Sequence, residues 1–447
     1  MANNKQDKIL NVPNKREQRQ TCLNVAEREA LRPKGSVPNK REQQQTRLNV
    51  PALRFPEFKG EWESIPLSNI SIIVGRIGFR GYTTNDIVKE GEGAIALSPT
   101  NIDNNQLTYN KDNTYISLYK YDESPEIQIN IGDIVFVKTG STIGKVAYVD
   151  NIITKTTLNP QLVVLKNISC EKYFLSLVLS TDCFQNHIKR ITVGGAVPTL
   201  SQVEMGKIQI ALPNKKEQQK IQSLMKLLDA RIATQRKIIE KLESLIHGVV
   251  TTHFHRTRNK NTITIKDLGK AYSVGNLSKE DLAEDGEPCI LYGELFTTYG
   301  CVANKIQSRT NKYTQATLSR AGDLLFPAST TVDAISLIAP TSLKTEGVYV
   351  AGDMFGIRIK SQYNSEYISY IINYVYNRKL SKYAQGSTII HLHYADIKNV
   401  TIQVPCLEEQ NKCADLLSCL QMKLDTERRL CVSFQKQKDY LLQQMFI

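Results

Sequence analysis

With 447 residues, 41% of them hydrophobic and 23% charged, the chain has the composition of a globular protein of about three domain-sized units, not of a disordered polymer. No apolar run approaches the roughly 20 residues that a bilayer crossing needs, and the N-terminus has no apolar stretch of signal-peptide type, so the expected location is the cytoplasm, away from membranes. The net charge of +13 points to a polyanionic partner, most commonly nucleic acid, unless the excess sits in solvated segments.

Residues 1–50 read as a polar leader. VPNKREQRQTCLNV at 12–25 returns as VPNKREQQQTRLNV at 37–50 without apolar periodicity. Such a segment cannot offset its ordering entropy by burial and is expected to be disordered. The nine cysteines stand singly, with no C-x-x-C pair, and free thiols are expected.

The first globular segment, 51–213, contains IGDIVFVKTGSTIGKVAYV at 131–149, two apolar strands around a polar loop. Lys138, Thr139, Ser141, Thr142 and Lys145 on that loop can donate hydrogen bonds to phosphates and base edges. GSTIGKV looks like a phosphate loop, but only three residues separate Gly140 from Gly144, and Val146 stands where Ser or Thr would bind magnesium. Asn159-Pro160-Gln161 lacks the second proline and the aromatic of an amino-methyltransferase signature, which leaves Asn159 and Gln161 as polar candidates for nucleic-acid contact. Gly194-Gly195 suits either a tight turn or a close backbone approach to a ligand.

From 214 to 250, Ile221, Leu224, Leu228, Ile232, Ile239 and Leu242 recur at heptad-like spacings, with Gln235 as a polar interruption. The second globular segment, 251–405, carries Ser329-Thr330-Thr331 where the first has its Gly-Ser-Thr loop, and Gly386-Ser387-Thr388 where the first has the glycine pair. His253/His255 and His391/His393 would each share a face on a strand. No Cys or His cluster completes a metal set, so His391 and His393 are read as near nucleic acid or in plain surface or core roles. A second stripe, Leu416, Leu420, Leu424 and Phe434, marks 406–447 as another long helix.

The two halves are a repeat. GGAVPTLSQVEMGKIQIALPNKKEQQ from Gly194 aligns without gaps to GSTIIHLHYADIKNVTIQVPCLEEQN from Gly386, at an offset of 192 residues. Leu200 falls on Leu392, Pro213 on Pro405, and Glu217-Gln218 on Glu409-Gln410. The alternating apolar residues before each proline predict a half-buried strand, and the proline ends it and opens the helix. Two helices separated by a whole domain pair most simply with each other, antiparallel, although each could instead pack on its own domain. A helix of about 35 residues is roughly 50 Å long and can act as a spacer between domains related by a pseudo-twofold axis.

NVPALRFPEFKGEW at 49–62, GDIVFVKTGSTIGKV at 132–146, and the segment from Gly194 to Ile221 with its second copy resemble the specificity subunits of type I restriction-modification enzymes. The resemblance implies an α+β protein with two tandem target recognition domains, each followed by a long helix, the helices forming an antiparallel coiled coil with pseudo-twofold symmetry. It implies a non-catalytic subunit that reads a bipartite, asymmetric double-stranded DNA target, with the helices setting the gap. It also implies two modification subunits and restriction subunits as partners, and these would carry the S-adenosylmethionine, ATP and magnesium chemistry, leaving this chain without a cofactor. Two rivals stay open from the residues alone. Cofactor-dependent methylation by the purified chain alone would favour a minimal fused methyltransferase or nuclease, and unchanged DNA mobility in low salt would favour a coiled-coil scaffold or receptor-binding protein with no DNA role.

Overall fold

The structure is a computed structural model that describes residues 49–109, 113–192, 197–312 and 317–447. All but the last two residues of the expected leader, and the Gly194-Gly195 pair, lie outside the described residues.

The first half runs β1 (Glu63–Pro66), β2 (Ile72–Gly75), β3 (Ala94–Leu97), β4 (Ile134–Val137), β5 (Val146–Tyr148), β6 (Thr156–Leu158), β7 (Leu162–Lys166) and β8 (Gln209–Leu212), with shorter elements between. A long helix follows, α1 (Lys215–Arg256). The second half runs β9 (Lys260–Thr264), β10 (Gly269–Ser273), β11 (Glu287–Leu291), β12 (Asp323–Pro327), β13 (Ser329–Thr330), β14 (Thr341–Leu343), β15 (Tyr349–Ala351), β16 (Met354–Ile359), β17 (Ile390–His391) and β18 (Thr401–Pro405). The chain closes on α2 (Leu407–Gln444).

The same pairings recur in both halves. β1 pairs antiparallel with β8 as β9 does with β18, so each half is closed by its own two ends. β2, β7, β4 and β5 lie side by side and antiparallel, as do β10, β16, β12 and β14. A parallel pair, β3 with β6 and β11 with β15, sits beside each of these sheets. β4 reads Ile-Val-Phe-Val and is wholly buried because both of its faces are covered. Ile134 and Phe136 join Val163 and Leu165 in one core, while Val135 and Val137 join Leu162 and Val164 in another.

Asn214, just after Pro213, caps α1 by accepting from the Glu217 N–H at 3.1 Å. α1 runs to Arg256, beyond the end expected at residue 250. Val250 and Phe254 continue its buried stripe into the core of the second half, and that packing outweighs the β-branched run from Val249 to Thr252. His253 and His255 therefore lie on a helix rather than a strand, where residues two apart do not face each other. His253 approaches Glu409 at 3.5 Å and the Tyr367 hydroxyl at 3.4 Å.

The helices pair antiparallel along their middles, with Asp229 to Lys438 and Glu243 to Arg428 each at 2.6 Å. Leu228, Ile232 and Leu424 are buried there, Ile239, Leu242 and Leu420 are partly so, and Arg231 lies over the Phe434 ring at 5.5 Å. Each end of the pair is also embedded in a domain: Ile221 and Met225, with Leu224 beside them, join the first core, and Cys413, Ala414 and Leu417 join the second. Leu416 does not belong to this stripe and is 51% exposed, whereas Leu417 is fully buried. Counting from Cys413, steps of three and of four both reach a leucine and both continue to Leu420, so spacing alone does not separate them. At its far end α2 returns to the first half, where Phe446 stacks on Phe174 with centroids 5.4 Å apart, next to the lone tryptophan, Trp62.

Gln235, the polar interruption, is buried and donates to the main-chain oxygen of Glu427 at 3.2 Å and to its carboxylate. Glu427 lies 192 residues beyond Gln235, the offset of the repeat. Equivalent residues of two antiparallel helices meet only where a twofold axis crosses them, so the pseudo-dyad of the molecule passes through this pair.

Candidate nucleic-acid interface

A glutamine joint fixes each half to the helix pair. Gln218 donates from Nε2 to the Pro213 carbonyl at 2.8 Å and accepts from the Glu171 N–H at 3.0 Å. Gln410 repeats this with the Pro405 carbonyl and the Asn364 N–H, both at 2.8 Å. In the first half Arg54 adds a two-pronged pair to the buried Glu217 at 2.7 and 2.8 Å.

The sequence-picked polar loops of the first half converge. The Lys138 N–H donates to the Gln161 carbonyl at 2.9 Å, the Leu200 N–H to the Lys138 carbonyl at 2.9 Å, and the Gly140 N–H to the Pro198 carbonyl at 3.0 Å. The Asn159 side chain accepts from the Gln161 N–H at 2.8 Å, a turn that holds both side chains at the surface. The hydroxyls of Thr139, Ser141 and Thr142 hydrogen-bond to nothing among the described residues, and Lys138 forms no ion pair there. Lys145 is engaged, donating to the Ile102 carbonyl at 3.3 Å.

Arg76, which sequence reasoning missed, braces this face from behind. It is buried, donates to the Leu158 carbonyl at 2.8 Å and to the Thr157 hydroxyl at 3.2 Å, and its guanidinium lies over the Tyr82 ring at 5.4 Å. Burial pulls its pKa below the ordinary value, and Tyr82 and the acidic groups Glu123 and Glu126 oppose that shift. Its position in GRIGFRGY gave no local signal of the role.

The second half builds the same frame. The Leu392 N–H donates to the Ala328 carbonyl at 2.9 Å, matching Leu200 and Lys138, and Ser329 pairs with His391 as Thr139 bridges Thr199. Thr330 ends β13 and Thr331 follows it, with the Thr330 hydroxyl accepting from the Val332 N–H at 3.2 Å. Gly386 has φ +117, and a Cβ there would meet the Ile389 carbonyl at 2.1 Å, so the turn needs glycine. Ser387 and Thr388 are exposed beside it, and the His391 and His393 rings stack with centroids 6.2 Å apart. His393 itself lies past the strand, at the cap of the short helix Tyr394–Ile397. Where the first half has the 138–145 loop, the second has a turn capped by Asp333, which accepts from the N–H groups of Ile335 and Ser336 at 2.8 Å.

Among the described residues no group of three or more His, Cys, Asp or Glu is placed to hold a metal, and no helix is long and apolar enough to cross a membrane. The family model of the type I restriction modification DNA specificity domain matches residues 61–244 and again 258–431. The chain belongs to that family. As a specificity subunit it serves DNA-sequence recognition in a type I restriction-modification system, assembles with other subunits of such a system and DNA, and is not a catalytic component.

Among curated relatives, the type I restriction enzyme MjaVIII specificity subunit of Methanocaldococcus jannaschii is 22% identical over 341 residues, covering 71% of this chain and 79% of that protein. Among solved structures, the S subunit of a type I restriction-modification system from M. genitalium superposes with a TM-score of 0.58 at 14% identity, over 89% of this chain and 99% of that one. A chain from a structure on complex assembly and conformational transition of the type I R-M system gives 0.50 at 15% identity, over 86% and 97%. This specificity subunit thus has the two-domain, two-helix fold of those structures.

Proposed function

We propose that this specificity subunit reads a bipartite, asymmetric double-stranded DNA target, one half-site per domain, and directs adenine methylation or cleavage by partner subunits. The observation that carries the reading is the repeated main-chain frame, held at opposite ends of an antiparallel helix pair and displaying different side chains at each end. The first recognition unit ends at Pro213, and the second opens after Arg256, where the helix stops. Lys138, Lys145, Thr139, Ser141, Thr142, Asn159, Gln161, Gly194 and Gly195 form the contact set of the first unit. Ser329, Thr330, Thr331, Gly386, Ser387, Thr388, His391 and His393 form that of the second.

Met225 and Val250 anchor α1 in the two cores, and the 25 residue steps from one to the other correspond to about 38 Å of helix, close to one turn of B-DNA. The half-sites are therefore centred about one helical turn apart on the same face of the duplex. Affinity comes from lysine contacts to phosphate and falls with salt, while the free hydroxyls, and the Asn159 and Gln161 amides held at the surface, supply base discrimination. Two modification subunits and the restriction subunits, docked on the helix pair, supply S-adenosylmethionine, ATP and magnesium chemistry.

The test is adenine-methylation sequencing of a host carrying this gene with its modification subunit, against a deletion of the gene. A split motif with a fixed gap that loses methylation in the deletion supports the reading. A methylome unchanged while the protein is expressed refutes it.

A further inference from the structure

The shared frame shows which residues of the second half stand where the first displays its polar loops, including two that the sequence did not single out. The Lys138 N–H donates to the Gln161 carbonyl in the first half, and the Ala328 N–H donates to the Asp353 carbonyl at 2.8 Å in the second. Asp353 therefore occupies the place of Gln161. The parallel strands enter the same loop from its other side: β3 and β6 end on the pair Leu97 and Leu158, and β11 and β15 end on Leu291 and Ala351, so the loop is one residue shorter in the second half. Ser98 and Asn159, which leave the first pair, are matched by Tyr292 and Gly352.

Gly352 has φ +99, and a Cβ there would come within 3.2 Å of the Tyr292 ring, so the tyrosine packs against the residue that precedes Asp353. Tyr292 is 40% exposed, and its hydroxyl bonds to nothing among the described residues. Asp353 is exposed, and among the described residues its carboxylate has neither a hydrogen bond nor an ion pair. Asp333, by contrast, is consumed by the helix it caps.

A free carboxylate opposite a polyanion is repelled by every phosphate it approaches. It fits a DNA-facing position only where it accepts from a base. In the major groove the donors are the exocyclic amino groups of cytosine and adenine, while guanine O6 and N7 and thymine O4 are acceptors. Gln161, with a donor and an acceptor, has no such preference.

Resting on the recognition reading above, we infer that Asp353, flanked by Tyr292, reads one amino-bearing base, cytosine or adenine, in the half-site of the second domain and rejects guanine and thymine there. The test is selection from duplexes randomised across both half-sites, using the complex with modification subunits, for wild type, Asp353→Asn and Asp353→Ala. Wild type selects cytosine or adenine at one position. Asp353→Asn, which adds a donor, admits guanine or thymine at that position alone, with discrimination falling on the order of tenfold. The first half-site and the thermal melt of the protein stay as in wild type, because the side chain is exposed and unbonded. An unchanged motif in both variants, or a uniform affinity gain on all sequences, overturns the inference and marks Asp353 as a bystander charge. Wild type selecting no sequence at all overturns the recognition reading itself, and the inference with it.

Discussion

Replacing Gln218 with alanine tests whether the glutamine joints hold the domains to the helix pair. The side chain is 6% exposed and makes two hydrogen bonds, to the Pro213 carbonyl and from the Glu171 N–H. Each bond contributes about 1 kcal/mol net, and stranding a buried carbonyl or N–H costs about 1–3 kcal/mol, so Gln218→Ala is expected to destabilise the first half by about 2–4 kcal/mol. Trp62, the single tryptophan, packs edge-on to Phe174 at 6.0 Å and Phe446 at 6.5 Å, so its fluorescence reports the first core together with the end of α2. With a urea dependence of about 2 kcal/mol per molar, the midpoint of the Trp62 transition falls by about 1 M or more. Gln218→Glu keeps the volume but loses the donor to Pro213, and is expected to fall nearly as far. A midpoint unmoved in both variants would mean that the strand and helix hold without the side chain, and the joint assigned to Gln218 and Gln410 would be wrong.

Leu417→Ala removes a fully buried side chain and lowers stability by about 2–5 kcal/mol in denaturant unfolding, whereas Leu416→Ala, at a half-exposed site, changes it by less than about 0.5 kcal/mol. Asp267 accepts from the hydroxyl and N–H of Thr264, bonds that hold its carboxyl below the ordinary value. Its stabilisation is therefore fully present above the unfolded pKa of about 3.9 and is lost as pH falls through the lower folded value, so the melting-temperature gap between wild type and Asp267→Ala narrows between neutral pH and about pH 2. Burial pushes the Cys301 thiol up to about 12 and the Cys289 and Cys413 thiols up to about 11, while Cys183, Cys406 and Cys419 are exposed. Brief alkylation of the native protein followed by peptide mapping is expected to label the last three and spare the first three.

The helix stripes and the repeat were legible because burial imposes a period on a sequence. The offset of 192 read from Leu200 and Leu392 reappears in space as the Gln235 to Glu427 contact and as the matched bonds of Gln218 and Gln410. What the sequence hid depends on tertiary choice. Leu416 and Leu417 satisfy the same spacing, and only the position of the second core selects between them. Arg76, Tyr292 and Asp353 have no local signature. Their roles follow from neighbours that are distant in sequence, Leu158 for Arg76 and Ala328 for Asp353.

Under the proposed reading, the division of labour within each half explains how a pseudo-symmetric protein can face an asymmetric target. The joints are made of glutamine side chains bonded to main-chain groups, and the frame of main-chain bonds such as Lys138 to Gln161 and Ala328 to Asp353, so neither depends on which side chains the loops display. Asn159 and Gln161 on one frame, and Tyr292 and Asp353 on the other, can therefore differ without altering where each frame sits. The spacing between frames is set separately, by α1 between Met225 and Val250, and its register by the buried Gln235 and Glu427 pair. Under the proposed reading, loop substitutions change the bases read at a constant gap, whereas an insertion of whole helical turns into both α1 and α2 changes the gap and leaves the bases as they were.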